Sequence, residues 1–445
     1  MRGSPEAASV RREATWEYVK GALWVLPTLA VVLALAVGSL VSQIDVDPTS
    51  TWGKFVFRGT AQEARDLLIG IAGTMVTVIA LVLGLTVVAL QLASTQFSPR
   101  LLRSFLRDRT NQVVLSVFVA TFTYSSAGLY TVGVSASGPV ADYPRAAVTG
   151  ALVLLFASMV MLVFFAHHLA HSIQIDEVMR QVERSTLHVI EHDFPTVDTA
   201  VPLPEVPEHA RTIPAYASGY VQTIHPEILV GPAEGLDAVL SVRPMIGEHV
   251  VEGGPLVHIW AGHGVTPPSP PPALVELVRG AIRIGFERTA EQDVALGIRQ
   301  LADVASKALS PAINDPYTAV QALDRLSVIL SRLAGCTLGN QVLAGADGTV
   351  RVAVPARDLE YYLDLGCGQV RRFGASEPRV MSALLRVLDN TGRCAATDED
   401  RSLVARQVEL VLDDAERRTA QPADLISIQR TANALMEHLR APAGR

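Results

Sequence analysis

The sequence predicts a membrane α-helical domain of four transmembrane helices, followed by a cytosolic α+β region: a small β-rich, sandwich-like domain and then a mainly helical one. Three observations carry this. Of 445 residues, 49% are hydrophobic and only 18% charged, against roughly a quarter charged in an ordinary soluble domain. Four uncharged apolar runs come one after another before residue 172. The charge is also divided: up to His171 there are 12 Lys or Arg and 9 Asp or Glu, and the remainder carries 25 and 35. A slightly basic apolar part followed by an acidic part reads as a membrane anchor with a soluble region. The same composition excludes a disordered chain and a disulfide scaffold, and the net charge of −7 argues against a nucleic-acid partner.

Residues 1–20 form a cytoplasmic N-terminal segment and 21–171 the four-span domain. The runs cover 21–41, 67–93, about 113–134 and 146–166. Each satisfies the need for about 20 residues to cross roughly 30 Å of hydrocarbon. The first is too long for a signal-peptide core and lacks a small-residue cleavage site. Arg2, Arg11, Arg12, Lys20, Arg100, Arg103, Arg107, Arg109, Arg180 and Arg184 fall on one side of the membrane. Only Lys54, Arg58, Arg65 and Arg145 fall on the other. By the positive-inside rule this is a multi-pass protein of the bacterial inner membrane with both termini cytoplasmic.

Span two repeats small residues at three- and four-residue spacing, and Gly73, Ala80 and Gly84 are expected to make close helix contacts. Its Thr77 and Thr86, with Thr121, Thr123, Ser125 and Ser126 of span three, are candidates for a pore lining. Hydroxyls bonded to their own helix backbone are the commoner reading. No Asp, Glu, Lys, Arg or His lies inside the four cores, which disfavours a proton- or cation-coupled pump.

Two flanks carry further chemistry. Arg100, Arg103, Arg107 and Arg109, interleaved with Leu101, Leu102, Phe105 and Leu106, predict a short basic amphipathic helix held by anionic headgroups. His167, His168 and His171 follow span four. Two of them stand at i, i+4, which suits zinc only if a third ligand arrives; a solvated or pH-sensitive patch is the plainer reading. No metal or other cofactor is expected.

Beyond the membrane, 172–210 reads as a helical stalk and linker, and 211–262 as short alternating strands bounded by Gly and Pro. The spacing of Gly247, Val250, Gly253, Pro255 and Leu256 resembles a lipoyl- or biotinyl-like sandwich, but the stretch holds no Lys, which excludes a swinging-arm carrier. Residues 263–273 form a Pro-rich linker and 274–445 the mainly helical domain. There Thr289 and Gln292 suggest a capping box for a helix to about Leu309. Asp315, Pro316 and Gly335 suggest the N-cap, first residue and end of the next helix. Asp347-Gly348 predicts a hairpin turn. Helices are expected near 378–388, 400–417 and 422–440. Glu291, Asp293, Asn314 and Asp315 are candidates for a cation or ligand site, although helix starts already account for most of this polarity. The three cysteines lack a CxxC pair, as reduced cytosolic thiols do. No phosphate-binding glycine loop or nucleophile elbow occurs, so an enzyme is not expected.

The segments QLASTQFSPRLLRSFLRDR, FFAHHLAHSIQ, RTAEQD and ALSPAINDPYTAV resemble a bacterial family of predicted integral membrane proteins of unknown function. The resemblance covers nearly the whole chain. It implies four N-terminal spans with a cytosolic C-terminal region, and no activity, cofactor or catalytic residue. The leading expectation is a homo-oligomeric protein of channel or passive-transport type, with the cytosolic part as vestibule or regulatory domain and an ion or small molecule as ligand. The alternative is a membrane-tethered scaffold or sensor whose cytosolic domain binds a protein or small ligand.

Overall fold

A computed structural model of the chain describes residues 24–44, 56–96, 109–132, 143–172, 174–194, 202–261 and 270–440. The chain divides into two compact units, one of Glu13–Glu177 and one made chiefly of Val178–Arg445.

The first unit consists of helices α1 (Val25–Val41), α2 (Ala61–Gln96), α3 (Arg109–Thr131) and α4 (Arg145–Ser172). Three of them, α2 to α4, are long and apolar enough to cross a membrane. The expected first span is described only as the 17 residues of α1, roughly 25 Å of helix. Leu33, Val76, Phe156, Val160 and Val163 are exposed apolar side chains on this unit, a surface that suits lipid and not water.

Helix α3 packs most extensively against α1, α2 and α4. Small residues permit this, but not those expected. A Cβ on Gly150 of α4 would lie 2.5 Å from the Tyr124 hydroxyl oxygen, and one on Gly128 of α3 would lie 3.2 Å from Leu68. Gly73 and Gly84 have nothing within 4 Å of an added Cβ, and Ala80 is likewise exposed. Among the described residues of one chain Gly73, Ala80 and Gly84 therefore stand open, and the close approach belongs to α3 and α4.

Most of helix α5 (Ile175–Asp193) belongs to the second unit. Within the stretch expected to be a helical stalk and linker, this helix is the helical part. Its residues Met179, Val182, Thr186, Val189 and Ile190 are buried, an amphipathic stripe at helical spacing. Strands β1 (Arg211–Pro214), β2 (Gly219–Ile224), β3 (Ala238–Val242), β4 (His249–Val250) and β5 (Pro255–Ala261) follow, with helix α6 (Glu227–Gly235) after β2. Then come α7 (Pro272–Ala281), β6 (Ile282–Gly285), α8 (Val294–Ala308), α9 (Pro316–Ala334), β7 (Gln341–Ala344) and β8 (Val350–Val354). Helix α10 (Leu359–Leu363) runs through a π-helical turn (Asp364–Gly368) into α11 (Gln369–Gly374). Helices α12 (Pro378–Cys394), α13 (Asp398–Arg418) and α14 (Pro422–Arg440) complete the chain.

Strand pairing crosses the expected division between 211–262 and 274–445. One sheet has the order β1-β5-β3-β8-β7 and the other β4-β2-β6. Thus β8 lies parallel to β3, with Leu240 opposite Val352, and β6 pairs antiparallel with β2. Ile213, Val221, Leu240, Ile259, Ile282 and Val352 share one core, so the β-rich segment and the start of the helical segment fold together. The Pro-rich stretch is also shorter than expected at its end, because Pro272 is the first residue of α7, where proline costs no hydrogen bond.

The local signals around α9 hold. Asp315 caps it, accepting from Thr318 N at 3.1 Å and Thr318 Oγ1 at 2.6 Å, and Gly335 ends it. The hairpin at Asp347-Gly348 joins β7 to β8, with Gly348 at φ +77°. The expected capping box does not form. Asp293, not Thr289, caps α8, and the Gln292 side chain instead accepts from Ile224 N of β2 at 2.8 Å.

Candidate functional site: a polar cleft in the α+β unit

The second unit contains a cleft of about 760 Å³, within the range of small-molecule sites. Its walls come from six separated stretches: the end of α5, the β2–α6 connection, Met245 and Ile246, the start of α8, the loop into β7, and the segment after β8. Ile224, Ile246, Leu338, Val342 and Val354 give it an apolar lining, and Asp193, His225, Glu227, Gln292, Asn340 and Arg357 bring polar groups.

Most of these polar groups are already employed. Gln292 holds β2, and Asn340 Oδ1 accepts from Ala356 N at 3.3 Å. Arg357 Nη1 donates to the Ile246 carbonyl at 2.5 Å, and its guanidinium lies 4.8 Å from the centroid of the Tyr361 ring. His225 Nδ1 and Glu227 Oε1 are 3.3 Å apart. Tyr362 is buried in the wall, and burial pushes its hydroxyl above the ordinary tyrosine value.

Asp193 is different. Its Oδ2 is buried and has no hydrogen-bond partner. It is the last residue of α5, where the helix dipole opposes a negative charge. Burial pushes its carboxyl above the ordinary value; His192, His225 and His188 pull it down, and Glu227 adds to the rise. Helix α5 is held in place independently of this group. Glu183 pairs with Arg325 of α9 at 2.9 Å, and Gly297 of α8 gives Thr186 room for close approach.

The residues singled out from sequence lie elsewhere. Asp293 is buried, accepts two bonds from Arg288 (2.7 and 2.8 Å) and one from Leu296 N. Burial alone would lower Arg288, but the Asp293 carboxylate outweighs it and holds the guanidinium above its ordinary value. A side chain at Gly247, which sits at φ +81°, would collide with this pair. Glu291 pairs with Arg283. Asn314 occupies a left-handed conformation at φ +50° before the Asp315 cap. Thr318 holds the Asp315 carboxyl below its ordinary value. These groups close helix starts and loops.

In the helical unit, Thr121 is buried, donates to the Val117 carbonyl at 2.8 Å and lies 2.9 Å from Ser158 Oγ. Ser125 is buried, and Thr123 and Ser126 are half-buried. Thr77 and Thr86 bond to the carbonyls of Gly73 and Val82 of their own helix. His167 and His171 have ring centroids 4.2 Å apart, and His168 stacks on Phe164. Among the described residues, no three His, Cys, Asp or Glu side chains could hold a metal ion. Arg109 opens α3 and is exposed, while Arg100, Arg103 and Arg107 lie outside the described residues.

The cleft was not legible in the sequence. Asp193 stands beside His192 and just before Pro195 without any motif, and the other walls of the cleft are some 30 to 170 residues away. The only available signal is an acidic residue at a helix C-terminus.

Uncharacterized protein Rv1290c of Mycobacterium tuberculosis and Uncharacterized protein Mb1321c of Mycobacterium bovis are each 40% identical to the chain over 436 residues, 97% of this chain and 83% of theirs. No solved structure matches the chain significantly. A family model described as Predicted membrane protein (DUF2254) matches residues 20–390, a stretch that includes the apolar helices and every wall of the cleft. The chain belongs to this bacterial family of membrane proteins of unknown function.

Proposed function

We propose that this protein is a membrane-tethered sensor whose α+β unit, on the cytoplasmic side, binds a small ligand in the cleft. The observation that supports it best is the buried, unpartnered Asp193 Oδ2 in a cleft where most other polar groups are committed. A group that the fold leaves unsatisfied suits a ligand better than a structural role. The test is thermal stability of the purified full chain in detergent against a panel of small metabolites. Stabilisation by members of the panel, lost in Ala356→Trp, which fills the cleft, supports the reading. No stabilising compound, or one indifferent to Ala356→Trp, overturns it.

A second reading, a passive channel between protomers of a homo-oligomer, is favoured by the open small face of α2. Such a face supports close helix association in lipid. Thr121 and Ser125 are buried within one chain, so a path between protomers would use Thr77 on α2. Both readings keep four spans, and anionic lipid at Arg100, Arg103, Arg107 and Arg109. Liposomes carrying the protein separate the two: a dissipated ion gradient supports the channel, and tight vesicles support the sensor.

A further inference from the structure

We propose that the cleft takes a small organic ammonium compound, its N–H groups donating to Asp193 and its hydrocarbon part lying on the apolar wall. This names the ligand class of the cleft and therefore rests on the sensor reading. The argument begins with what Asp193 lacks. Asp193 is half-buried and its Oδ2 is buried without a donor, and a carboxylate drawn out of water is costly until donors, best of all cationic ones, join it. A neutral donor would satisfy the oxygen without balancing its charge, and an anion would add to that charge.

The surrounding charges point the same way. The titratable groups around Asp193 are His188 and His192 on its own helix and His225 and Glu227 from the β2–α6 connection. Two of the imidazoles are engaged: His192 Nδ1 lies 2.9 Å from the His188 carbonyl, and His225 Nδ1 lies 3.3 Å from Glu227. Glu227, the second carboxylate of the cleft, is the partner of His225, which leaves Asp193. Arg357, its only arginine, is tied to the Ile246 carbonyl and to the Tyr361 ring. The uncommitted charge is therefore negative.

A metal ion is the other cation to consider. These histidines and carboxylates do not converge on one point, since no described set of three could hold a metal. An alkylammonium brings its own three donors and needs only one anchor. The apolar share of the lining, from Phe194, Ile224, Ile246 and Val342, suits a hydrocarbon body larger than a bare ion.

The test uses the full chain in detergent, titrated with phenethylammonium, phenylacetate and 2-phenylethanol, which share a ring and differ in charge. Phenethylammonium binding with affinity reduced roughly tenfold or more in Asp193→Asn, and the other two binding weakly or not at all, is the expected result. Equal binding of all three, or an ammonium affinity unchanged in Asp193→Asn, overturns the inference. Zinc chloride binding that displaces phenethylammonium and requires His188 and His192 overturns it in favour of a metal. If metabolites bind the wild type but not Ala356→Trp, and none carries an ammonium, the ligand class falls and the sensor reading stands. If nothing binds, both fall.

Discussion

Arg288 grips Asp293 with two nitrogens, at 2.7 and 2.8 Å, while the same carboxylate accepts a free first-turn amide of α8 from Leu296. One side chain thus closes a loop, starts a helix and neutralises a mostly buried guanidinium. Removing it strands the partner. Asp293→Ala is expected to cost about 3 kcal/mol, since an unpaired buried charge is the larger part of the loss. Asp293→Asn, which keeps an acceptor for Leu296, is expected to cost less. Denaturant unfolding of both variants checks the order, and equal stability of the alanine variant and the wild type would contradict it.

The close approach of Gly150 to Tyr124 distinguishes two kinds of glycine in the helical unit. Gly150→Leu is expected to destabilise the fold, because α4 must move away from α3 to admit it. Gly84→Leu meets open space and is expected to leave the single chain's stability unchanged while weakening any oligomer formed through α2. Thermal melts and light scattering in detergent read the two effects separately. A loss of monomer stability in Gly84→Leu would show that its face is already occupied within one chain.

Asp193 sets a pH dependence of definite sign. Burial holds its carboxyl above the ordinary value near 3.8, so between the unfolded and folded values the native state binds more protons. Its contribution to stability is therefore present at low pH and lost as pH rises through the folded value. Asp193→Asn removes this loss. The variant is expected to melt at or above the wild-type temperature at pH 7.5 and at the wild-type temperature near pH 3. A variant less stable than wild type at pH 7.5 would mean that the ionised carboxylate has a structural partner.

Orientation in the membrane is expected to follow the basic residues, with Arg100–Arg109 inside and the 135–145 loop outside. Introduced Ser137→Cys should react with an impermeant maleimide on intact cells, and Ser104→Cys only after lysis. The background needs little preparation. Cys336 and Cys367 are buried, burial pushing the Cys367 thiol up to about 12, and only Cys394 is exposed. Labelling of Ser104→Cys from outside would reverse the topology.

The sequence by itself determined the features whose physics acts over a few residues. Apolar length marked α2, α3 and α4, Asp315-Pro316 and Gly335 bounded α9, and Asp347-Gly348 turned the β7–β8 hairpin. A cap or a turn needs only its own neighbours. Where a side chain had two local uses, the tertiary structure chose. Gln292 could have served a capping box, but the Ile224 amide of β2 needed an acceptor, and Asp293 took the cap. The pairing of β3 with β8, more than 100 residues apart, was decided by the shared core of Leu240 and Val352, since strand propensity does not name a partner. The cleft depends on this pairing, because its walls meet only after the sheets have formed. Asp193 becomes an unpartnered carboxylate only there, since burial and the absence of a donor are properties of the folded chain.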